Sequence, residues 1–313
     1  MTGIEIRRRA RVIARREERR RLSGVDALES GKFTGSLATV DDQSAPPRWT
    51  PYKVKVGDME LRVAQRGEGG TPLLLITGIG AHLNMWGPME RTLGARHLIA
   101  FDAPGTGESD RLRTPVRMDG LARIVAELLD VLEHDVVDVL GVSFGGAVAQ
   151  QLAKSHPDRV RRLILCATSP GIISVPPRPL PALLLMTPAR YYHPALFRFA
   201  MPRIAGGRTA RDKDVLGGQI RARLSRPPDP LGYLHQLYAV TGWTSVHWLH
   251  QLRQPTLVIA GDDDRAIPLT NARLMTRRIP NAELHVLHDG GHLFVIDEPA
   301  SAAPAIERFL DAD

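Results

Sequence analysis

Gly141-Val142-Ser143-Phe144-Gly145-Gly146 is the stretch that decides the fold. It follows an apolar run, Val136 to Val142, and precedes a helical pattern opened by Gly145 to Ala149. A short, continuous apolar run reads as a strand buried on both faces. The serine therefore sits on a sharp turn between a buried strand and a helix. Neighbouring side chains would collide with strand and helix, and glycine at 141 and 145 removes them. The helix N-terminus brings free N–H groups to the same place, where they favour developing negative charge. In this context the G-x-S-x-G pattern marks Ser143 as a candidate nucleophile.

Outward from the elbow the same grammar repeats. Leu73 to Thr77, His97 to Phe101, Val160 to Ala167, Thr256 to Ala260 and Glu283 to Leu287 read as further buried strands. Between them, Leu121, Ile124, Val125, Leu128, Leu129 and Leu132 recur at helical spacing. Ala147 to Ala153, Ala272 to Arg278 and Ala302 to Leu310 are similar. Ahead of them, Tyr52 to Val56 and Glu60 to Arg66 alternate around Gly57-Asp58, an antiparallel hairpin. The order predicts an α/β fold, with a mostly parallel central sheet covered by helices on both faces.

One segment breaks the alternation. Residues 170–252 hold many prolines and most of the aromatics but no buried-strand run. They read as an inserted helical cap, with Tyr191, Trp243 and Trp248 as candidate substrate contacts in an apolar channel. The core then comprises residues 51–169 and 253–313, and residues 1–50 read as a basic, disordered tail and linker.

A serine hydroxyl needs a base to take its proton. On such an elbow the partners follow in chain order, first an acid and then a histidine. The strand Leu257 to Ala260 ends at Gly261-Asp262-Asp263-Asp264, on the sheet edge where active sites form. Asp264, furthest along the loop, is favoured as the acid; Asp262 reads as a turn-former and Asp263 as a solvated neighbour. The last strand runs into His288-Asp289-Gly290-Gly291-His292, where His292 is favoured as base over His288. The oxyanion needs backbone N–H donors. Phe144 is one, and Ile79 the other with Gly80 as the alternative. Asp102 in Phe101-Asp102-Ala103-Pro104-Gly105 reads as turn structure. No His/Cys set has metal spacing and no phosphate loop occurs, so no metal or cofactor is expected.

Composition narrows the classes. The 313 residues are 43% hydrophobic and 24% charged, ordinary values for a chain that buries a large core. No apolar run approaches the roughly 20 residues of a membrane helix. Cys166 is the single cysteine, which excludes an internal disulfide and makes a cytoplasmic setting the default. Residues 1–24 carry nine arginines and three glutamates, six of the seven net positive charges. The remainder is nearly neutral, so no nucleic-acid surface is expected. The tail reads as a solvated extension, with an arm for an anionic surface as the functional alternative.

These motifs resemble the α/β-hydrolase superfamily over residues 51–313. Ile76 to Leu83, Gly141 to Ala153, Ala167 to Gly171, Gly242 to Leu249, Gln254 to Asp264 and His292 to Phe294 resemble intracellular poly(3-hydroxyalkanoate) depolymerases in particular. The Gly242 to Trp248 stretch is the most particular of them. The resemblance implies hydrolysis of stored polyester to 3-hydroxy acids or oligomers, with Ser143, Asp264 and His292 as nucleophile, acid and base. It also implies a storage-granule surface as partner. The other readings are a small-molecule carboxylesterase, a thioesterase, a carbon–carbon bond hydrolase and a non-catalytic granule protein. The sequence departs from the pattern at Arg265, where proline often stands, at Thr77, where histidine is frequent, and in the two glycines before His292. Arg265 is expected to pair with Asp262 or Asp263, or to perturb Asp264.

Overall fold

Ile76 pairs with Gly141, and Gly141 with Leu165, in the middle of an eight-stranded sheet. The computed structural model describes residues 49–312. The Arg-rich tail and most of the linker read from the sequence lie outside the described residues.

The strands are β1 (Tyr52–Val56), β2 (Met59–Arg66), β3 (Leu73–Ile76), β4 (Leu98–Phe101), β5 (Val137–Val142), β6 (Val160–Cys166), β7 (Thr256–Gly261) and β8 (Ala282–Leu287). The helices are α1 (Gly87–Thr92), α2 (Met118–Val131), α3 (Phe144–Ser155), α4 (Pro179–Leu185), α5 (Pro194–Ala205), α6 (Gly207–Arg211), α7 (Lys213–Leu224), α8 (Pro230–Val240), α9 (Leu269–Arg278), α10 (Phe294–Asp297) and α11 (Pro299–Asp311). The spatial order is β1-β2-β4-β3-β5-β6-β7-β8. The β1–β2 and β2–β4 pairs are antiparallel and the rest parallel.

The apolar runs lie where two-sided burial requires them. β3, β4, β5 and β7 are buried along their whole length. On one face, α2, α3 and α9 close a core around Leu74, Val139 and Val258. On the other, α1, α10 and α11 close a second around Leu75, Leu140 and Ile259. In α2 the helical period holds: Leu121, Val125, Leu128 and Leu129 are buried while Arg123, Glu127 and Asp130 are exposed.

Two expectations are corrected. β8 is not buried on both faces. It is an edge strand paired to β7 alone, and Glu283 is exposed. Trp49, inside the expected linker, packs into the second core. A large aromatic ring gains enough from burial to anchor the chain there.

Between β6 and β7 the chain runs through α4 to α8. Some of the prolines that mark this segment start its helices: Pro179, Pro194 and Pro230 occupy first turns, where a missing N–H costs nothing. Phe197, Met201, Ile204 and Leu216 form a small core that includes Ala266 and Leu293 from outside the segment.

Candidate active site

Ser143 joins β5 to α3 with φ +55° and ψ −118°, a left-handed conformation strained for a residue with a Cβ. Such strain costs about 1–3 kcal/mol and persists only where the surroundings hold it. Here the Ser143 N–H donates to the Cys166 carbonyl at 2.9 Å, and the Thr168 hydroxyl donates to the Ser143 carbonyl at 2.7 Å. A Cβ on Gly145 would lie 2.3 Å from the Ile76 oxygen, and one on Gly141 2.4 Å from the Gly145 oxygen. No other residue type fits either position without moving backbone.

Two loops at the same sheet edge meet this turn. Asp264 follows β7 and His292 follows β8. His292 Nε2 lies 3.0 Å from Ser143 Oγ, and His292 Nδ1 lies 2.8 Å from Asp264 Oδ2. With Nδ1–H donating to the carboxylate, Nε2 accepts from the serine hydroxyl. The other carboxylate oxygen, Oδ1, accepts from the Ala266 and Ile267 N–H groups at 2.9 and 2.8 Å. Asp264 and His292 are both buried, so the carboxylate is held from two sides away from bulk water. The His292 N–H donates to the Ala205 carbonyl at 2.7 Å. A Cβ on Gly291 would lie 2.6 Å from that same oxygen, which is why a glycine precedes the histidine.

The neighbouring carboxylates have other partners. Asp262 accepts from the Asp289 N–H at 2.7 Å and faces His288 Nδ1 at 3.0 Å, tying the β7 and β8 loops together. Asp263 is not a freely solvated neighbour, as the sequence suggested. It accepts from the Gly207 N–H at 2.8 Å and faces Arg265 Nε at 3.3 Å. Arg265 thus pairs with Asp263, one of its expected partners, and its Nη1 also donates to the Pro202 carbonyl at 3.2 Å. Asp102 is buried and accepts from the Leu83 and Glu108 N–H groups at 2.6 and 3.0 Å and from Arg62 at 3.2 Å. Burial pushes its carboxyl up; its role is to bind loops together.

The loop after β3 carries Ile79 and Gly80. The Gly80 N–H donates to Gln236 Oε1 at 2.9 Å, which removes it as a free oxyanion donor. The carbonyl of the same peptide, that of Ile79, accepts from the Tyr191 phenol at 2.8 Å. Among the described residues the Ile79 and Phe144 N–H groups have no hydrogen-bond partner.

A cavity of about 590 Å³, mouth included, opens over Ser143 and His292. Met85, Trp86, Met201, Ile204, Leu293 and Ile296 give it apolar walls. Tyr191 lines it, as expected. Trp243 and Trp248 do not; this expectation is corrected. Their rings pack on each other at 6.1 Å, and Trp243 Nε1 donates to Gln151 on α3 at 2.8 Å. Ser245 likewise donates to Gln150 Oε1 at 2.6 Å. The Gly242 to Leu249 stretch therefore buttresses the helix behind the serine.

The sequence reading missed Arg190 and Arg223, which also line the cavity. Nothing in the chain order distinguishes them from other arginines. Burial tends to raise the Tyr191 phenol, but the two guanidiniums outweigh it and lower it overall. Among the described residues no group of His, Cys, Asp and Glu is placed to hold a metal ion, and no helix is long and apolar enough to cross a membrane.

Comparison with known proteins agrees with this fold. The model of the alpha/beta hydrolase family matches residues 73–305. A poly(3-hydroxyalkanoate) depolymerase of Ectopseudomonas oleovorans is 45% identical over 244 residues, 78% of this chain and 85% of that protein. A thermophilic esterase from Thermogutta terrifontis, 28% identical, superposes with a TM-score of 0.70 over 83% of this chain and 98% of its own. The enol-lactonase from Burkholderia xenovorans LB400 superposes at 0.74 with 24% identity, over 83% of this chain and 100% of its own, a likeness of fold alone. By its sequence and its fold, this chain belongs to the alpha/beta hydrolase family.

Proposed function

We propose that this protein hydrolyses the ester bonds of a poly(3-hydroxyalkanoate), releasing 3-hydroxy acids or short oligomers, with Ser143 as nucleophile. The observation that carries the reading is the unbroken line of hydrogen bonds from Asp264 through His292 to Ser143, ending in an apolar cavity. The 45% identity to a depolymerase supports the polyester as substrate.

In this mechanism His292 Nε2 takes the hydroxyl proton while Ser143 Oγ attacks the ester carbonyl. Asp264 keeps the imidazole in the right tautomer and stabilises its cation. The oxyanion rests on the Phe144 and Ile79 N–H groups. The C–O bond breaks, and the leaving alcohol takes the proton from His292. Water, deprotonated by the same histidine, then attacks the acyl-serine and frees the acid. Residues 170–252 act as a cap whose apolar side shields the acyl-enzyme from bulk water.

The test is acid release from a medium-chain polymer, a short-chain polymer and a soluble p-nitrophenyl ester, by wild type and by Ser143→Ala. Release of 3-hydroxy acids from a polymer by the wild type, lost in the variant, supports the reading. Turnover of the soluble ester alone moves the function to a small-molecule esterase. Undiminished hydrolysis by Ser143→Ala overturns the mechanism.

A further inference from the structure

Arg223 is about 95% buried, yet the structure gives it almost nothing to bind. Its Nη1 approaches the Tyr191 phenol oxygen at 3.4 Å, and its Nε is buried with no hydrogen-bond partner. A guanidinium offers five donors and cannot shed its charge. Leaving such a cation buried and unsatisfied is costly, so a site that tolerates it has use for it.

The other cation of the cavity differs. Arg190 donates to the Leu184 and Thr187 carbonyls at 3.0 and 2.8 Å and to the Tyr233 phenol at 2.9 Å. Its donors are spent on the protein, so it contributes charge rather than free hydrogen bonds. Neither arginine has an ion-pair partner among the described residues. Asp297 feels the charge of Arg223, but its oxygens accept from Thr209 and Gln219. Trp86, which lines the same cavity, also has a buried Nε1 without a partner. An apolar cavity over Ser143 is thus lined by one cation with unspent donors and by one tryptophan whose N–H has no partner.

We propose that Arg223, aided by Trp86, forms a carboxylate subsite that receives the free carboxyl end of a hydroxy-acid ester chain. This rests on the reading of Ser143 as nucleophile. With the carboxylate held there, the ester bond presented to Ser143 is one near the chain end. Attack leaves the acyl part on Ser143, and the departing alcohol is a 3-hydroxy acid, or its short oligomer, carrying the bound carboxylate. Hydrolysis of the acyl-serine adds water and creates a new carboxyl end, ready for the next cycle. Cleavage then proceeds inward from the carboxyl terminus.

The experiment compares a soluble dimer of a medium-chain 3-hydroxy acid with its methyl ester. The two share every atom near the scissile bond and differ in the terminal charge. Wild type is expected to favour the free acid by about tenfold or more in kcat/KM, the scale of a charge-assisted hydrogen bond. Arg223→Gln brings the ratio close to one. Arg223→Lys keeps the charge without the fork and retains part of the preference, which serves where the glutamine variant fails to fold. Equal rates on acid and methyl ester in wild type, or an undiminished preference in Arg223→Gln, would reject the subsite. Because each result is a ratio within one active enzyme, it is separate from the nucleophile question, which Ser143→Ala answers on both substrates.

Discussion

The Tyr191 phenol donates to the Ile79 carbonyl at 2.8 Å, across 112 positions of sequence. On the other side of the same peptide, the Gly80 N–H is held by Gln236 on α8. Two residues of the β6–β7 segment thus clamp the loop that carries Ile79, the proposed second oxyanion donor. For the proposed oxyanion donor, position matters because its hydrogen bond strengthens only where charge develops.

Tyr191→Phe tests that clamp. Losing one oxyanion donor outright costs about 10²–10³ in kcat, so loosening its loop is expected to cost roughly tenfold, with KM moving much less. Steady-state kinetics on a neutral ester separate the two parameters. A raised KM at unchanged kcat would instead assign the phenol to substrate binding.

Trp243→Phe tests the corrected place of the tryptophan pair. It removes the hydrogen bond to Gln151 and is expected to lower stability by about 1 kcal/mol. The acyl chain-length preference should stay as in wild type, since the ring does not reach the cavity. Urea denaturation and rates on a series of p-nitrophenyl esters check both halves; an altered chain-length profile would return Trp243 to the substrate path.

Asp297 makes stability depend on pH in an unusual direction. Burial pushes its carboxyl up to about 6, from an ordinary 3.8. Between those values the folded chain keeps a proton that the unfolded chain has released. Its contribution is therefore most favourable below the lower value and is lost as pH rises through the upper one. Asp297→Asn has no such step. Relative to wild type, the variant is expected to gain roughly 2 kcal/mol in stability between pH 4 and pH 7. Urea midpoints at both pH values measure the difference, and a constant difference would show that Asp297 carries no proton in the folded state.

Most of the sheet was legible because its cause is local in sequence. The run Val136 to Val142 is apolar apart from Asp138, and β5 is buried on both faces from Val137 to Val142 with Arg161 pairing the one carboxylate. β8 was misread because Glu283 and His285 carry the alternation of an edge, a position that depends on there being no ninth strand beside it among the described residues. Of the three aspartates, the one furthest along the loop, Asp264, is the one that meets His292. The roles of Asp262 and Asp263 were not legible, because Asp289 and Gly207, their partners, belong to other loops.

The sequence by itself determined the order of strands and helices and the serine turn with its two glycines. The first follows from periodicity and the second from the spacing of the two glycines about the serine, although the oxygen that excludes a Cβ on Gly145 is that of Ile76 on a neighbouring strand. The tertiary structure alone decided that Gly80 spends its N–H on Gln236, that Trp243 faces α3 instead of the cavity, and that Arg223 enters the cavity with donors to spare. Burial and hydrogen-bond satisfaction are properties of pairs, and these pairs form only when segments distant in the chain pack together.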